Sequence, residues 1–192
     1  MHYISRAAIF FSVGMIVLGS LCTAPVFAEV GVGIRGGMLF PDQDPFKEEF
    51  DSDVILGGVL EFDSNLGLSL EATVEYYEQN SDNDSLGGDI TIVPVLVTAK
   101  YNFLPRYRST PFVGIGAGTY FFDRSFDDGS SKSQTRFGVR VCGGLRFFED
   151  RGLNIVLEGS RNFVDFDNDN ASSYQVMLGL VFDLNPAIIG GP

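Results

Sequence analysis

From Glu29 onward, apolar residues return at every second position, in one stretch after another. "EVGVGIRGGMLF" places Val30, Val32, Ile34, Met38 and Phe40 on one phase, and "VILGGVLEF" does the same with Val54, Leu56, Leu60 and Phe62. "LGLSLEATVEYY", "ITIVPVLVTAKYNF" and "PFVGIGAGTYFF" continue the pattern. So do "RFGVRVCGGLRFF", "LNIVLEGSRNF" and "SYQVMLGLVFDL". Period two is the signature of a strand with one apolar face, and nothing after residue 28 repeats at helical spacing. The pattern predicts eight strands.

The connections between them alternate in length. "DSNLG", "LPRYRST" and "EDRG" are short, whereas "PDQDPFKEEFDSD", "YEQNSDNDSLGGD", "DRSFDDGSSKSQ" and "VDFDNDNASS" are long and acidic. In an up-and-down meander this puts all short turns at one end and all long loops at the other. An even number of strands of about 10 residues with that asymmetry predicts an all-β fold, an eight-stranded antiparallel up-and-down transmembrane β-barrel. Its expected extent is residues 29–184, followed by a short tail at 185–192. Aromatic residues near strand ends fit interface girdles: Phe40, Tyr76, Tyr77, Tyr101, Phe103, Phe121, Phe122, Phe147, Phe148, Phe163 and Tyr174. A soluble barrel would turn its second phase to water and fill it with long charged side chains; here that phase is heavy in Gly, Ser and Thr. The Gly-x-Trp of lipocalins is also missing, since the chain has no tryptophan.

The second phase is the one a membrane barrel turns inward. It holds Arg35, Glu61, Glu71, Glu75, Lys100, Arg136, Arg140, Arg146 and Glu158. Buried charge is tolerated when paired, so this near balance predicts a lumen charge network, and eight strands leave room for little beyond side chains. The expected consequence is a plug rather than a pore. Glu71 and Glu75 share a face but lie about 13 Å apart along a strand, too far for a carboxylate pair. "PFVGIGAGTYFF" gives its inward face to Gly114, Gly116 and Gly118. Its G-x-G-x-G spacing lacks the helix a dinucleotide loop requires. The glycines are expected to make room for long side chains from the neighbouring strands.

The first 28 residues read differently. Arg6, an apolar run from Ala7 to Leu18 and the small-residue end Val26-Phe27-Ala28 have the layout of a secretory signal peptide cleaved after Ala28. Removing it takes away Arg6 and no acid, so a formal charge of −12 becomes −13. That acidity excludes nucleic acid as a partner. One cysteine, Cys142, remains, so an intramolecular disulfide is excluded; on the inward phase it reads as an inert lumen residue.

"TPFVGIGAGTYFF", "FGVRVCGGLRFF" and "GLVFDL" resemble the eight-stranded outer-membrane β-barrel superfamily, which includes outer-membrane protein X and the membrane domain of outer-membrane protein A. The resemblance implies location in the bacterial outer membrane and contact with outer-membrane lipids and lipopolysaccharide. It also implies assembly by a machine that reads an amphipathic last strand, a pattern matched by Gly179, Leu180, Phe182 and Leu184. Barrel enzymes of this membrane use a histidine, and the sole histidine here, His2, leaves with the signal peptide. No enzyme, cofactor or metal site is therefore expected. "DFDNDNASS" sets Asp165, Asp167 and Asp169 at alternate positions, but Asn170 and Val176 stand where a calcium loop needs glycine and glutamate. Arg106 and Arg108 mark a basic turn at the expected periplasmic end. The expected function is a monomeric structural or surface-interaction barrel whose long loops meet a partner the residues do not name. The alternative is a narrow channel or transporter for small or hydrophobic solutes.

Overall fold

The alternating stretches pair into a ring. The computed structural model describes residues 29–42, 53–64, 66–80, 89–103, 109–125, 131–148, 152–165 and 170–184. They form β1 (Glu29–Pro41), β2 (Asp53–Asp63), β3 (Leu68–Asn80), β4 (Asp89–Asn102), β5 (Ser109–Ser125), β6 (Ser131–Phe148), β7 (Leu153–Asp165) and β8 (Asn170–Asp183). Each strand pairs antiparallel with the next, and β8 closes on β1 from Gly31↔Asp183 to Pro41↔Ser173. Closure has a physical cause: hydrocarbon offers no partner for an unpaired N–H or C=O, and a ring has no edge.

The short connection after β2 shows how the chain reverses. Gly67 N–H donates to the Ser64 carbonyl (3.1 Å), Leu66 N–H to Ser64 Oγ (3.1 Å), and Ser64 N–H to the Leu68 carbonyl (2.8 Å). Gly67 holds φ at 82°, in the left-handed region that side chains disfavour.

The two phases separate as the alternation predicts, except that Phe62, on the apolar phase, is buried and that Tyr77, expected in the girdle, joins the interior. Ile34, Val54, Ile115 and Phe137 point outward and are 61–66% exposed, whereas Glu75 and Arg140 point inward and are 0% and 1% exposed. Inside, apolar residues form two clusters. One, toward the long-loop end, contains Leu39, Ile55, Tyr77, Ile92, Leu96, Tyr120, Val164 and Met177. The other, toward the short-turn end, contains Val59, Phe112, Cys142, Val156 and Val181. The polar residues of the inner phase lie between and below these layers.

Strand limits differ from the sequence expectation at the long-loop ends. "DRSFDDGSSKSQ" reads as loop, yet β5 and β6 run on into it, pairing Asp123↔Ser133, Arg124↔Lys132 and Ser125↔Ser131. Ser133 Oγ donates to Asp123 at 3.0 Å. Both phases are polar there, so no alternation marks the strands, although their backbones pair. β3 likewise continues to Asn80 and β8 begins at Asn170. The leader at 1–28, the tail at 185–192, the Arg106 and Arg108 turn, Asp167 and Asp169, and most of the other long loops lie outside the described residues.

Glycine on the inner face of β5 has a steric cause. A Cβ at Gly114 would lie 2.9 Å from both Lys100 Cγ and Cys142 Sγ, which matches the expected room for a long side chain. At Gly116 the obstacles are Thr98 and the Val97 carbonyl of β4, the latter 3.0 Å away. The close approach there is to the adjacent strand itself rather than to an arginine.

Candidate functional site: the charged lumen

Period-two geometry carries one residue in two to the inside, and the ring brings those side chains from different walls into contact. Arg35 of β1 reaches across the lumen: Nη1 lies 3.0 Å from Glu71 Oε1, and Nη2 lies 2.8 Å from Glu158 Oε1 and 3.4 Å from Glu75 Oε1. Lys100 Nζ of β4 lies 2.7 Å from both Glu71 Oε2 and Glu158 Oε2. Two cations and two carboxylates thus alternate in a closed ring, each carboxylate oxygen facing a cation. Lys100 also stands over the Phe112 ring, 4.7 Å from its centroid.

A second group lies beside the first. Arg140 of β6 grips Glu75 with both terminal nitrogens, at 2.6 and 2.7 Å, while its Nε donates to Asn162 Oδ1 at 2.8 Å and Nη2 to Gln175 Oε1 at 3.0 Å. The planar fork of arginine suits this two-point grip on a carboxylate. Toward the short-turn end, Arg146 pairs with Glu61 and, at 2.8 Å, with Asp63. Asn154 donates to both Asp183 oxygens at 3.0 and 3.1 Å, completing the polar floor.

Eight of the nine inward charges foreseen from sequence therefore stand buried in these groups: Arg35, Glu61, Glu71, Glu75, Lys100, Arg140, Arg146 and Glu158. The ninth, Arg136, is half-buried opposite Tyr120 in the β5–β6 ladder. Glycine recurs next to the long side chains: Arg35 faces Gly57 and Gly179, Lys100 faces Gly114, Arg140 faces Gly116, and Glu158 faces Gly144. A cavity beside Arg35, Glu71 and Glu158 measures about 10 Å³, on the order of a single water. Chemically the arrangement neutralises and fills; among the described residues no group of His, Cys, Asp or Glu is arranged to hold a metal ion.

The closed ring, the inverted surface and the buried charge all belong to one architecture, and a family model described as "outer membrane protein beta-barrel domain" matches residues 14–182. The chain belongs to the outer membrane β-barrel protein family. Its place is the bacterial outer membrane. Solved outer membrane barrels share the fold at low identity. Neisserial surface protein A is 14% identical with a TM-score of 0.63, over 80% of this chain and 96% of that one. A major outer membrane protein from Thermus thermophilus is 9% identical with a TM-score of 0.52, over 82% and 100%. The outer membrane protein AlkL is 13% identical with a TM-score of 0.51, over 84% and 92%. A search of curated protein sequences finds no match.

Sequence reading of this outer membrane barrel missed the uncharged partners Asn162 and Gln175 and the carboxylate Asp63, although all three sit on the inward phase. Charge, which amides lack, marked the inward set, and Asp63 fell in "DSNLG", a stretch that reads as turn although β2 runs to that residue. It also missed Arg161, which points outward from β7. Arg161 Nη2 lies 2.6 Å from Asp42, and its guanidinium stands 5.0 Å from the Phe163 ring and 4.9 Å from the Tyr174 ring.

Proposed function

We propose that this outer membrane β-barrel is a closed, non-catalytic scaffold whose lumen is sealed by its own side chains and whose long loops present a surface at the cell exterior. The observation that carries the reading is the Arg35, Glu71, Lys100 and Glu158 ring, which crosses the lumen between four strands and has apolar layers on either side. A hydrated path would have to displace paired charges that stabilise one another in a low-dielectric interior. The signal peptide and the monomeric state belong to the same proposal. Planar-bilayer recording of the purified barrel tests it: the expected result is no steady unit conductance, and large steady steps overturn the plug.

A second reading, sideways passage of small hydrophobic solutes through the wall, rests on Pro94. Proline has no N–H to give a ladder and is unusual inside a paired strand. The β3–β4 pairs run to Val74↔Val95 and resume at Tyr77↔Ile92, leaving Pro94 and its neighbour Val93 without a pair on β3. Uptake of an apolar solute by cells carrying Pro94→Val, compared with the parent barrel, separates the readings. Loss of uptake favours passage, and equal uptake favours the scaffold.

A further inference from the structure

The strands do not end level around the ring. The β6–β7 ladder stops at Gly138↔Val164, and β7 turns into β8 at Asp165↔Asn170, yet β6 extends past both through residues 131–137. On its other side that stretch stays paired with β5 up to Ser125↔Ser131, and β5 stays paired with β4 up to Asp89↔Ser125. One margin of the β5–β6 tip is therefore an edge with no neighbouring strand among the described residues, about 23 Å long at the usual rise per residue. Every second residue of such an edge turns both its N–H and its C=O outward. Within hydrocarbon those groups would be intolerably exposed, whereas beyond it water serves them until another backbone takes its place.

The side chains along the edge narrow the occupant. The tip continues the inner phase of the lumen, since Phe122 packs on the upper apolar cluster and stacks on Tyr120 at 6.4 Å. On that phase stand Arg124, Lys132 and Arg136, with Arg124 directly opposite Lys132, while the acidic Asp123 belongs to the outer phase. In a chain of formal charge −12 this is a local cationic face. The outer phase carries Ser131, Ser133 and Thr135, small enough for a neighbouring strand to lie flush. Cations on an edge oppose a second copy, because pairing β6 with β6 brings like charges together. A strand with carboxylates on one face has the complementary charge.

We propose that residues 131–137 accept an extended acidic segment of another protein as an added strand, its backbone completing the ladder and its carboxylates meeting Lys132 and Arg136. The location of that partner rests on the reading that the long loops face the cell exterior, whereas the pairing itself is independent of it.

The probe is a short blocked peptide alternating glutamate and valine, added to the full barrel in detergent micelles while amide hydrogen exchange is followed residue by residue. Exchange should slow within residues 131–137 and stay unchanged in the rest of the barrel. Binding should weaken about fivefold in Lys132→Glu, and that variant should prefer the peptide with lysine in place of glutamate. Its folded-band mobility on unheated gels should match the parent. Absence of binding, binding without protection at residues 131–137, equal binding of the lysine peptide by the parent, the same protection from a sulfated oligosaccharide, or a dimer formed through the edge overturns the proposal. Orientation is checked separately: Ser133→Cys should react with an impermeant thiol reagent on intact cells, and its silence there overturns the exterior location while the micelle result stands.

Discussion

The two faces of β6 run through the same membrane and obey opposite rules. Its outer face, Phe137, Val139, Val141, Leu145 and Phe147, is apolar and uncovered by protein, and its inner face buries Arg140 and Arg146. In water this arrangement would be unstable, because exposed apolar area and buried charge both raise the free energy. In a bilayer the outer face is already in its preferred solvent, and the lumen is the polar phase. The difference teaches that the outer face needs only to be apolar, whereas the inner face needs specific partners. Tolerance to substitution should therefore be broad outside and narrow inside.

The sharpest test of that asymmetry is Arg140→Ala, which leaves Glu75 buried without its two-point partner. Breaking a buried pair costs about 3–5 kcal/mol, to be read as a lower urea midpoint for the barrel refolded in vesicles. The double variant Arg140→Met with Glu75→Met should recover part of the loss, because it removes the uncompensated charge. The outer face is challenged by placing charge at its middle: Leu157→Arg should cost about 2–4 kcal/mol in the same assay, while Leu157→Ile should be nearly silent. A charge tolerated at that position would erase the distinction between the faces. Glycine offers a comparison of shape alone. Gly116→Leu overpacks against Thr98 and the Val97 carbonyl and should cost about 1–3 kcal/mol, whereas the outward Gly58, with no atom within 4 Å of an added Cβ, should accept leucine without change in midpoint. The smallest effect is expected at the girdle. Tyr101 and Phe103 meet edge to face at 5.3 Å, and Tyr101→Ala should lose about 0.5–1.5 kcal/mol.

How far these features could be read from residues alone varies along the chain. "RFGVRVCGGLRFF" announces both its strand and its orientation, because Val139 and Val141 alternate with Arg140 and Cys142. "DRSFDDGSSKSQ" announces neither, since polar residues fill both phases, and its described residues proved to be paired strand. The inner phase was legible where it carried charge. It was illegible where it carried Ile55, Leu96 or Met177, because an apolar residue on the minority phase reads as noise until the ring shows it packed against Tyr77 and Tyr120.

Alternation, turn spacing and the asymmetry of the loops are local properties, and they were enough to determine a membrane barrel of eight strands and most of the charged side chains that would face inward. Which of those side chains meet is a property of closure. Arg35 and Glu158 are 123 residues apart in sequence, and the 2.8 Å bond between them exists because β8 pairs with β1 and sets the register of the ring. Pairing by period two says only that a residue points in. The tilt and stagger that close the sheet decide the height at which it meets the opposite wall. For the same reason Gly144 and Gly159 could not be told apart by sequence: a glycine forced by contact, as Gly144 is by the Leu157 carbonyl, and a glycine that merely leaves space, as Gly159 does, are the same letter until the neighbouring strand is in place.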